Sequence, residues 1–459
     1  MLKPTIFREY DIRGVAEVDL PSEGVELLGH ALGTYLRRHS GHDPAKACLI
    51  TLGRDVRLSG DRLHTAMVKG LLATGCHVID VGRVPTPLLY YSTVHLNASG
   101  GVMITGSHNP PEYNGFKTVC GSGTIHGAEI QELYRMIEHR DFLYGQGVLA
   151  TYDIESPYVE EIAAQFDFKR RVKVVLDSGN GAGGDALHRL FEKLNCDVTE
   201  LFFEMDGHFP NHHPDPTVPE NLSHMCAKVR EIGADLGIAF DGDADRIGAC
   251  DENGQVIYGD MLMLIYGREI LTRKPGATFI GEVKCSQLLY DELKRLGGNP
   301  IMYKTGHSLI KAKMKEEHAE LAGEMSGHMF FADRYYGYDD ALYAACRLVE
   351  IVERSGKPLS AQLDGLPKLV STPELRHDCP DESKFAIVAK VAEHFAGKRP
   401  TLDVDGVRVL FPNGWGLLRA SNTQPVLVMR FEATTAELLA DYRAEMEAAL
   451  AAASSAAGV

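Results

Sequence analysis

The sequence predicts an α/β protein with three similar α/β domains, each built on a mixed sheet, and a C-terminal domain of the α+β type. Short apolar runs that end in Gly, Ser or Asp alternate with segments of helical periodicity, which is the pattern of parallel α/β layers. A unit of strand, glycine-containing loop, helix and strand recurs three times. Beyond Leu366 the pattern changes to β-rich stretches followed by one helix. A chain of 459 residues is long enough for several domains.

The individual elements follow from these patterns. Apolar runs predict strands at residues 48–52, 102–105, 172–176, 236–240, 278–281 and 321–323. Helical periodicity predicts helices at 62–74, 185–194, 340–354 and 435–449. In the last domain, VRVLF and VLVMRFEA predict further strands. The low-complexity residues 448–459 are expected to fray.

Each repeated unit contains two loops of functional appearance. LITLGRD precedes MITGSHN, VVLDSGN precedes AFDGDAD, and FIGEVKC precedes AGEMSGH. The sequence identity among the units is slight, so the repeat is a prediction about topology. We expect domains at residues 1–152, 153–254, 255–366 and 367–459.

Composition and charge limit the classes of function. The net charge of −16 argues against nucleic-acid or anionic-membrane partners, because both would be repelled. No apolar run is long enough to span a bilayer, and the first residues do not resemble a signal peptide. The nine cysteines form no C-x-x-C pair, which is typical of a reducing compartment. We therefore expect a cytoplasmic enzyme, in which a basic cleft could still bind a small anionic substrate.

The first motif is TGSHNPPEYNGFK, residues 105–117. Ser107 follows a predicted strand in a loop rich in Gly, Asn and Pro, at the sheet edge where α/β enzymes bind ligands. It could act as a nucleophile, while His108 and Lys117 orient phosphate oxygens or transfer a proton. A capping serine in a turn is the more common interpretation of G-S-H alone, but the length of the whole string favours function.

The second motif is DGDADR, residues 241–246, directly after the predicted strand LGIAF. Asp241, Asp243 and Asp245 alternate along a tight turn, so their carboxylates can converge on a hard cation such as Mg²⁺. Such an ion would neutralise charge on a transferring phosphoryl group. An EF-hand is excluded, because Arg246 stands where that loop requires Gly. Arg246 is counted among the candidate catalytic residues.

The third motif is GEMSGH, residues 323–328, with KTGHS at 304–308 before it. Glu324, Ser326 and His328 provide hydrogen-bond donors and acceptors on one short loop. Vicinal hydroxyl groups of a hexose need such a polar complement. The motif therefore predicts a sugar-binding loop.

The fourth motif is RASNTQP, residues 419–425. A guanidinium, two hydroxyls, an amide and backbone N–H groups in one turn suit a phosphate dianion. The candidate ligands are Arg419, Ser421, Asn422 and Thr423. A β-hairpin loop with a surface arginine is an equally good interpretation of this motif taken alone.

Two further segments are interpreted as structural. DGHFPNHHPDP contains His208, His212, His213 and Asp215, but their spacing matches no standard zinc pattern and the prolines indicate an ordered connecting loop. LDSGNGAGG, residues 176–184, lacks the acidic ribose ligand of a dinucleotide site and predicts a tight strand-to-helix turn.

The four motifs, in this order, resemble those of the α-D-phosphohexomutase superfamily over essentially the whole chain. The resemblance implies four domains around one central cleft, whose loops carry a phosphoserine, a metal ion, the sugar and the substrate phosphate. It assigns the phosphoserine to Ser107 and the metal to the three aspartates, joined by Ser107 through its phosphate. It also implies substrate contacts from Tyr10, Arg13, Lys284, Lys304, His307, Glu324, Ser326, His328 and the Arg419 loop. Ala244 stands where the metal loop often carries Gly.

Within the superfamily, GEMSGH and TGSHNPPEYNGFK are similar to the bacterial phosphomannomutase/phosphoglucomutase group. This implies interconversion of the 1- and 6-phosphates of mannose and glucose through a hexose 1,6-bisphosphate, which also serves as activator, with Mg²⁺ as cofactor. It implies small phosphosugars as partners, and we expect a monomer. Lys117, His108 and His328 are the candidates for proton transfer.

Three alternatives remain at this point. Phosphoglucosamine mutases more typically carry Gln at the position of Met325, which weakens the amino-sugar interpretation without removing it. A phosphatase is disfavoured, because hydrolysis does not require both ends of a ligand to be held. A non-catalytic sugar-phosphate sensor would be expected to lack Ser107 or one of the aspartates, and all are present.

Overall fold

The structure is a computed structural model that describes residues 2–43, 46–422 and 424–456. Four β-sheets follow one another along the described chain, and helices connect their strands. Short 3-10 turns occur at Pro4–Ile6, Pro219–Leu222 and Ser360–Leu363. Three mixed sheets and a fourth antiparallel one confirm the predicted fold class.

The first sheet is the largest and has the spatial order β1-β5-β4-β2-β3-β7, with β6 paired to β5. Its strands are β1 (Ile12–Val15), β2 (Leu49–Arg54), β3 (His77–Arg83), β4 (Gly100–Ile104), β5 (Tyr113–Cys120), β6 (Gly123–Thr124) and β7 (Leu149–Thr151). The helices of this region are α1 (Ala16–Asp19), α2 (Ser22–His39), α3 (Gly60–Ala73), α4 (Thr86–His95), α5 (Ala128–His139) and α6 (Glu155–Ala163).

The second sheet has the order β12-β11-β10-β8-β9 and the third has the order β14-β13-β15-β16. The second contains β8 (Val172–Asp177), β9 (Cys196–Leu201), β10 (Leu236–Phe240), β11 (Ile247–Asp251) and β12 (Val256–Ile257), with α7 (Gly184–Glu192) and α8 (Ser223–Ile232). The third contains β13 (Thr278–Glu282), β14 (Asn299–Tyr303), β15 (Leu321–Gly323) and β16 (Met329–Phe331), with α9 (Gly259–Arg273), α10 (Gln287–Arg295), α11 (His307–Glu316) and α12 (Ala341–Ser355).

The first three sheets share a core of four strands in one order. These cores are β5-β4-β2-β3, β11-β10-β8-β9 and β16-β15-β13-β14. In each core, three strands are mutually parallel, and one antiparallel strand pairs with the outermost of them. The loop that leads into the antiparallel strand carries the serine, aspartate or sugar motif, respectively. The predicted internal repeat is therefore confirmed, and it places three motifs at equivalent sheet edges.

The fourth sheet is antiparallel throughout. It contains β17 (Val370–Ser371), β18 (Leu375–Asp378), β19 (Thr401–Leu402), β20 (Val407–Phe411), β21 (Gly414–Ala420) and β22 (Val426–Ala433), with α13 (Asp381–Phe395) and α14 (Ala436–Ser455). The RASNTQP motif connects β21 to β22, so it is a hairpin loop at the edge of the sheet.

The expected fraying of residues 448–459 is wrong for the described part of that segment. Helix α14 continues to Ser455, and residues 457–459 lie outside the described part of the chain. Alanine has the highest helix propensity, so a run of alanines is compatible with a regular helix. In addition, Ala449, Leu450 and Ala453 are buried against the core of the fourth sheet. The prediction from composition took neither the helix propensity of alanine nor this burial into account.

The packing differs between the first three sheets and the fourth. A continuous apolar core runs from α4 through the second sheet to α12, whereas the fourth sheet has its own core. Polar contacts attach the fourth sheet to the third: Arg408 Nη1 donates to the carbonyl oxygens of Val283 at 2.7 Å and Cys285 at 3.0 Å. The Arg408 guanidinium also lies 3.7 Å from the centre of the Trp415 ring. A small apolar cluster of Val283, Trp415 and Leu417 also joins the third and fourth sheets, so polar and apolar contacts together attach the fourth sheet.

All nine cysteines carry free thiols, and eight of them are buried. Among residues 2–43, 46–422 and 424–456, no helix combines the length and the apolar character needed to cross a membrane.

Candidate active site

A cleft of about 1230 Å³ is lined by side chains from all four sheets and their loops. Fourteen of the residues expected in the site line it: Tyr10, Arg13, Ser107, His108, Lys117, Arg246, Lys284, His307, Glu324, Ser326, His328, Arg419, Ser421 and Asn422. The fold therefore brings together motifs that are separated by more than 300 residues in the sequence.

Ser107 sits in a constrained turn between β4 and β5. Its φ angle is +49°, in the left-handed region that is uncommon for residues with a Cβ. Its Oγ donates to Asp241 Oδ2 at 2.7 Å and lies 3.1 Å from His108 Nδ1. Its backbone N–H donates to Thr105 Oγ1 at 2.8 Å. The turn thus directs a nearly buried hydroxyl toward the aspartate motif.

The three aspartates form a fully buried cluster after β10. One carboxylate oxygen from each lies within 4.8 Å of the others. Asp243 Oδ1 and Asp245 Oδ1 are buried without a hydrogen-bond partner. Because buried polar atoms normally have partners, these two oxygens indicate a ligand, and an all-carboxylate set suits a hard cation. The residues present therefore fit a Mg²⁺ ion.

Lys117 supplies an ammonium group at this cluster. Its Nζ donates to Asp243 Oδ2 at 2.8 Å and also contacts Asp245 Oδ2. Burial opposes the charge on Lys117, but the two carboxylates outweigh it and raise its pKa. Burial would likewise raise the pKa of Asp243, but Lys117 outweighs it and holds that pKa below its usual value. For Asp241, burial and the neighbouring carboxylates raise the pKa well above its usual value.

The two histidines nearest the aspartates are held in different ways. His328 Nε2 accepts from Arg246 Nε at 2.9 Å, and its Nδ1 lies 3.2 Å from Asp339 Oδ2. Because Nε2 accepts, Nδ1 carries the proton and faces Asp339. For His108, desolvation and then the guanidinium of Arg246 hold the pKa well below its usual value, so its ring is neutral near pH 7.

The sugar motif is only partly free to bind a ligand. Glu324 Oε1 accepts the backbone N–H of Gly306 at 2.7 Å, and Ser326 Oγ lies 3.4 Å from Glu324 Oε2. The rings of His307 and His328 stack, with 5.7 Å between centroids. Lys304, by contrast, is exposed and is not among the residues that line the cleft. It lies just after the end of β14, before the chain turns His307 toward the cleft.

The phosphate motif is tied to the first and third sheets. Arg419 is buried and its Nε donates to Asp405 Oδ2 at 2.9 Å. Asn422 Nδ2 donates to the Tyr10 hydroxyl at 2.6 Å, and that hydroxyl donates to the carbonyl oxygen of Thr305 at 2.8 Å. Burial raises the pKa of Tyr10 to about 12, so the hydroxyl keeps its proton. The expected ligand Thr423 lies outside the described residues.

Two other cations of the cleft are paired with acids. Lys284 Nζ donates to Glu374 Oε1 at 2.6 Å, and Arg13 contacts Asp11 and Asn109. Burial opposes the charge on Lys284, but Glu374 and then Glu282 outweigh it and raise its pKa. Lys284 is therefore charged, and both cations line the cleft.

Sequence reasoning missed several residues that contact the site. Asp339 contacts His328, and the hydroxyl of Thr86 donates to Asp243 Oδ2 at 2.5 Å. The sequence YGYDDA could have pointed to Asp339, because it contains two adjacent aspartates and a helix cap needs only one. Asp340 caps α12 by accepting the backbone N–H of Tyr343 at 2.9 Å, so Asp339 is left for another role. Thr86 begins a helix and carries no such signal.

The histidine-rich segment packs beneath the serine loop. His213 Nε2 lies 2.5 Å from the carbonyl oxygen of His108, and His212 Nε2 lies 3.1 Å from both carboxylate oxygens of Asp177. His208 is exposed and bonds to Asp206. The glycine-rich segment that follows Asp177 is the strand-to-helix turn between β8 and α7, as predicted.

Comparison with known proteins agrees with this geometry. Models of phosphoglucomutase/phosphomannomutase α/β/α domains I, II and III match residues 4–144, 156–254 and 258–370, and the C-terminal domain model matches 374–449. The phosphomannomutase/phosphoglucomutase of Pseudomonas aeruginosa is 46% identical over 441 residues, which are 95% of this chain and 94% of that protein. The phosphoglucomutase of Neisseria gonorrhoeae is 44% identical over 435 residues, 94% of this chain and 93% of that protein.

A solved structure shows the same arrangement. The crystal structure of a phosphoglucomutase/phosphomannomutase family protein from Burkholderia thailandensis has a TM-score of 0.92 at 43% identity, and the match covers 99% of this chain and 98% of that one. The four matched domain models and the near-complete overlap with these relatives lead to one conclusion. The chain belongs to the phosphoglucomutase/phosphomannomutase family of the α-D-phosphohexomutase superfamily.

Proposed function

We propose that this protein is a phosphohexomutase that interconverts the 1- and 6-phosphates of mannose and glucose through a phosphoserine at Ser107. One observation carries the proposal: the Ser107 hydroxyl bonds to Asp241 at 2.7 Å and faces the same cleft as the Arg419 loop of the fourth sheet. One ligand can thus be held at two separated ends. Relatives that are 44–46% identical are named phosphomannomutase/phosphoglucomutase or phosphoglucomutase, which supports this activity over an amino-sugar mutase or a sensor.

Different residues of the cleft would bind the metal ion, the substrate phosphate and the sugar hydroxyls. Asp241, Asp243 and Asp245 would hold Mg²⁺, which when bound neutralises negative charge on the transferring phosphoryl group. The Arg419 loop would hold the phosphate already on the substrate, while Glu324 and Ser326 accept and donate hydrogen bonds to the sugar hydroxyls. Positioning and charge neutralisation then provide most of the rate enhancement.

The transfer itself can be written with balanced bonds. The P–O bond to Ser107 Oγ breaks as a bond forms between phosphorus and the free hydroxyl oxygen of the hexose monophosphate, whose proton is released. We assign this proton to His108: its neutral ring accepts the proton released by the hexose hydroxyl and passes it to Ser107 Oγ, which lies 3.1 Å from His108 Nδ1. Lys117 stays protonated and balances the carboxylates. The hexose 1,6-bisphosphate then turns end for end and returns its other phosphate to Ser107.

One chain supplies all four loops to the cleft, so we propose that the enzyme acts as a monomer. We also propose a cytoplasmic location, because nine free cysteines are typical of a reducing compartment. The deciding experiment supplies glucose 1-phosphate, mannose 1-phosphate and glucosamine 1-phosphate separately, with and without a trace of hexose 1,6-bisphosphate, and follows products by ³¹P NMR. We expect 6-phosphates of glucose and mannose, formed faster with the bisphosphate. Release of inorganic phosphate alone would indicate a phosphatase, and turnover of the amino sugar alone would refute the sugar assignment.

A further inference from the structure

The loop that carries Ser107 is wrapped around Arg57, a side chain outside every motif. Arg57 follows β2 and is 2% exposed. Its Nη1 donates to the carbonyl oxygens of Pro110 at 2.5 Å and Tyr113 at 2.8 Å. Its Nη2 donates to those of Ser107 at 2.7 Å and Asn109 at 2.5 Å. All four Nη hydrogens of one guanidinium are therefore used by carbonyl groups of this loop.

The guanidinium of Arg57 is itself fixed in place. Its Nε lies 3.3 Å from Asp55 Oδ2, which also accepts the N–H of Gly106 at 3.1 Å. The ring of Phe209 lies 5.6 Å from the guanidinium carbon. A Cβ added at Gly106 would stand 2.4 Å from Arg57 Cζ, so loop backbone and guanidinium are in close contact. The Arg57 guanidinium therefore has little freedom to move relative to the loop that carries Ser107.

The backbone of Ser107 needs such support. A left-handed conformation is unfavourable for a residue with a Cβ and persists only where its surroundings enforce it. Carbonyl oxygens that bond to a buried guanidinium also cannot turn toward the phosphoryl group, where their negative ends would repel its oxygens. Arg57 itself is not among the residues that line the cleft.

We propose that Arg57 is a positioning residue for phosphoryl transfer: it shapes the loop so that Ser107 Oγ meets the aspartates and the acceptor hydroxyl, without touching the substrate. This inference rests on the proposed mutase function. The phosphate and sugar loops do not involve Arg57, so its loss should affect the transfer step and leave substrate binding nearly unchanged.

The test replaces Arg57 by lysine, which keeps the charge but cannot reach four carbonyl groups from one nitrogen. Because misplacing a reacting group by about 1 Å can cost about 100-fold in rate, we expect a fall of about 100-fold in kcat. The rate at which hexose bisphosphate phosphorylates Ser107 should fall equally, while KM for glucose 1-phosphate changes by less than about threefold. The matched control is Arg62→Lys, since Arg62 bonds to the carbonyl oxygens of Ala16 and Leu20 away from the cleft and should leave kcat unchanged.

The outcomes separate this inference from the proposed function. If the unaltered enzyme has no mutase activity, the proposed function fails, and the inference with it. If that enzyme is active and folded Arg57→Lys keeps its kcat within about threefold, or changes only KM, the inference alone is wrong. If Arg57→Lys does not fold, Gly106→Ala, which pushes on the same guanidinium, must show the loss of kcat. An unchanged kcat there, or failure of both variants to fold, would overturn the positioning role.

Discussion

Replacing Lys117 by methionine removes the ammonium group that is bonded to the aspartate cluster. The side chain is 3% exposed and joins β5 of the first sheet to the loop after β10 of the second. Its loss leaves Asp243 and Asp245 buried without their cationic partner, although the hydroxyls of Thr86 and Thr105 still donate to Asp243. Breaking a buried ion pair in this way costs about 3–5 kcal/mol of folding free energy. In a cooperative unit of about 150–250 residues, this loss corresponds to a fall of about 10 °C in Tm.

Differential scanning fluorimetry in EDTA and in Mg²⁺ measures this effect. In EDTA the Tm of Lys117→Met should fall by about 10 °C, whereas Lys69→Met should fall by at most a few degrees, because its pair with Glu26 is exposed and worth about 1 kcal/mol or less. Mg²⁺ should raise the Tm of Lys117→Met more than that of the unaltered protein, since a cation replaces the missing charge. Equal Tm values for the two variants in EDTA, or an equal response to Mg²⁺, would refute the electrostatic account of the cluster.

Three further results are expected. Chelation should stop turnover and Mg²⁺ restore it, and Asp243→Asn should need more Mg²⁺ for half-maximal rate; full activity after chelation would exclude the assigned metal role. Lys284 lowers the pKa of Glu374 from 4.5 to about 2, so this pair stabilises the fold above pH 4.5 and its contribution is lost as the pH falls toward 2. Urea unfolding of Glu374→Gln should therefore show a shallower loss of stability across that window, and identical slopes would contradict the pairing. Arg419→Ala should raise KM and abolish a substrate-induced compaction seen by X-ray scattering, because the Arg419 loop would draw the fourth domain over the cleft through a hinge at 366–372; an unchanged shape on saturating substrate would argue against closure.

The elements that sequence predicted well are those whose burial is uniform. The prediction of the strand at Leu236–Phe240 has both ends correct, because a central strand that is buried on both faces forms an unbroken apolar run bounded by turn residues. The internal repeat could be predicted from the sequence for the same reason, because its strands are buried apolar runs. Its three cores use equivalent buried strands and place their motifs at equivalent edges.

The parts of the site that sequence did not predict depend on long-range contacts. Arg57 is fully buried and clamps the serine loop, yet an isolated arginine after a strand looks like an ordinary surface residue. Lys304 stands two residues from Gly306 in a motif of functional appearance, but local chain direction leaves it outside the cleft. Which side chain points into a shared cavity is decided by the packing of four sheets, and no local pattern encodes it.

The central claim is that Ser107 carries the transferred phosphoryl group. The direct measurement incubates the enzyme with ³²P-labelled glucose 1,6-bisphosphate and Mg²⁺, maps the label by mass spectrometry of proteolytic peptides, and then adds unlabelled glucose 1-phosphate. We expect label on the peptide that contains Ser107, its discharge into bisphosphate on addition of the monophosphate, and neither label nor efficient turnover in Ser107→Ala. Turnover at a near-normal rate in Ser107→Ala, or label confined to another residue, would contradict the account.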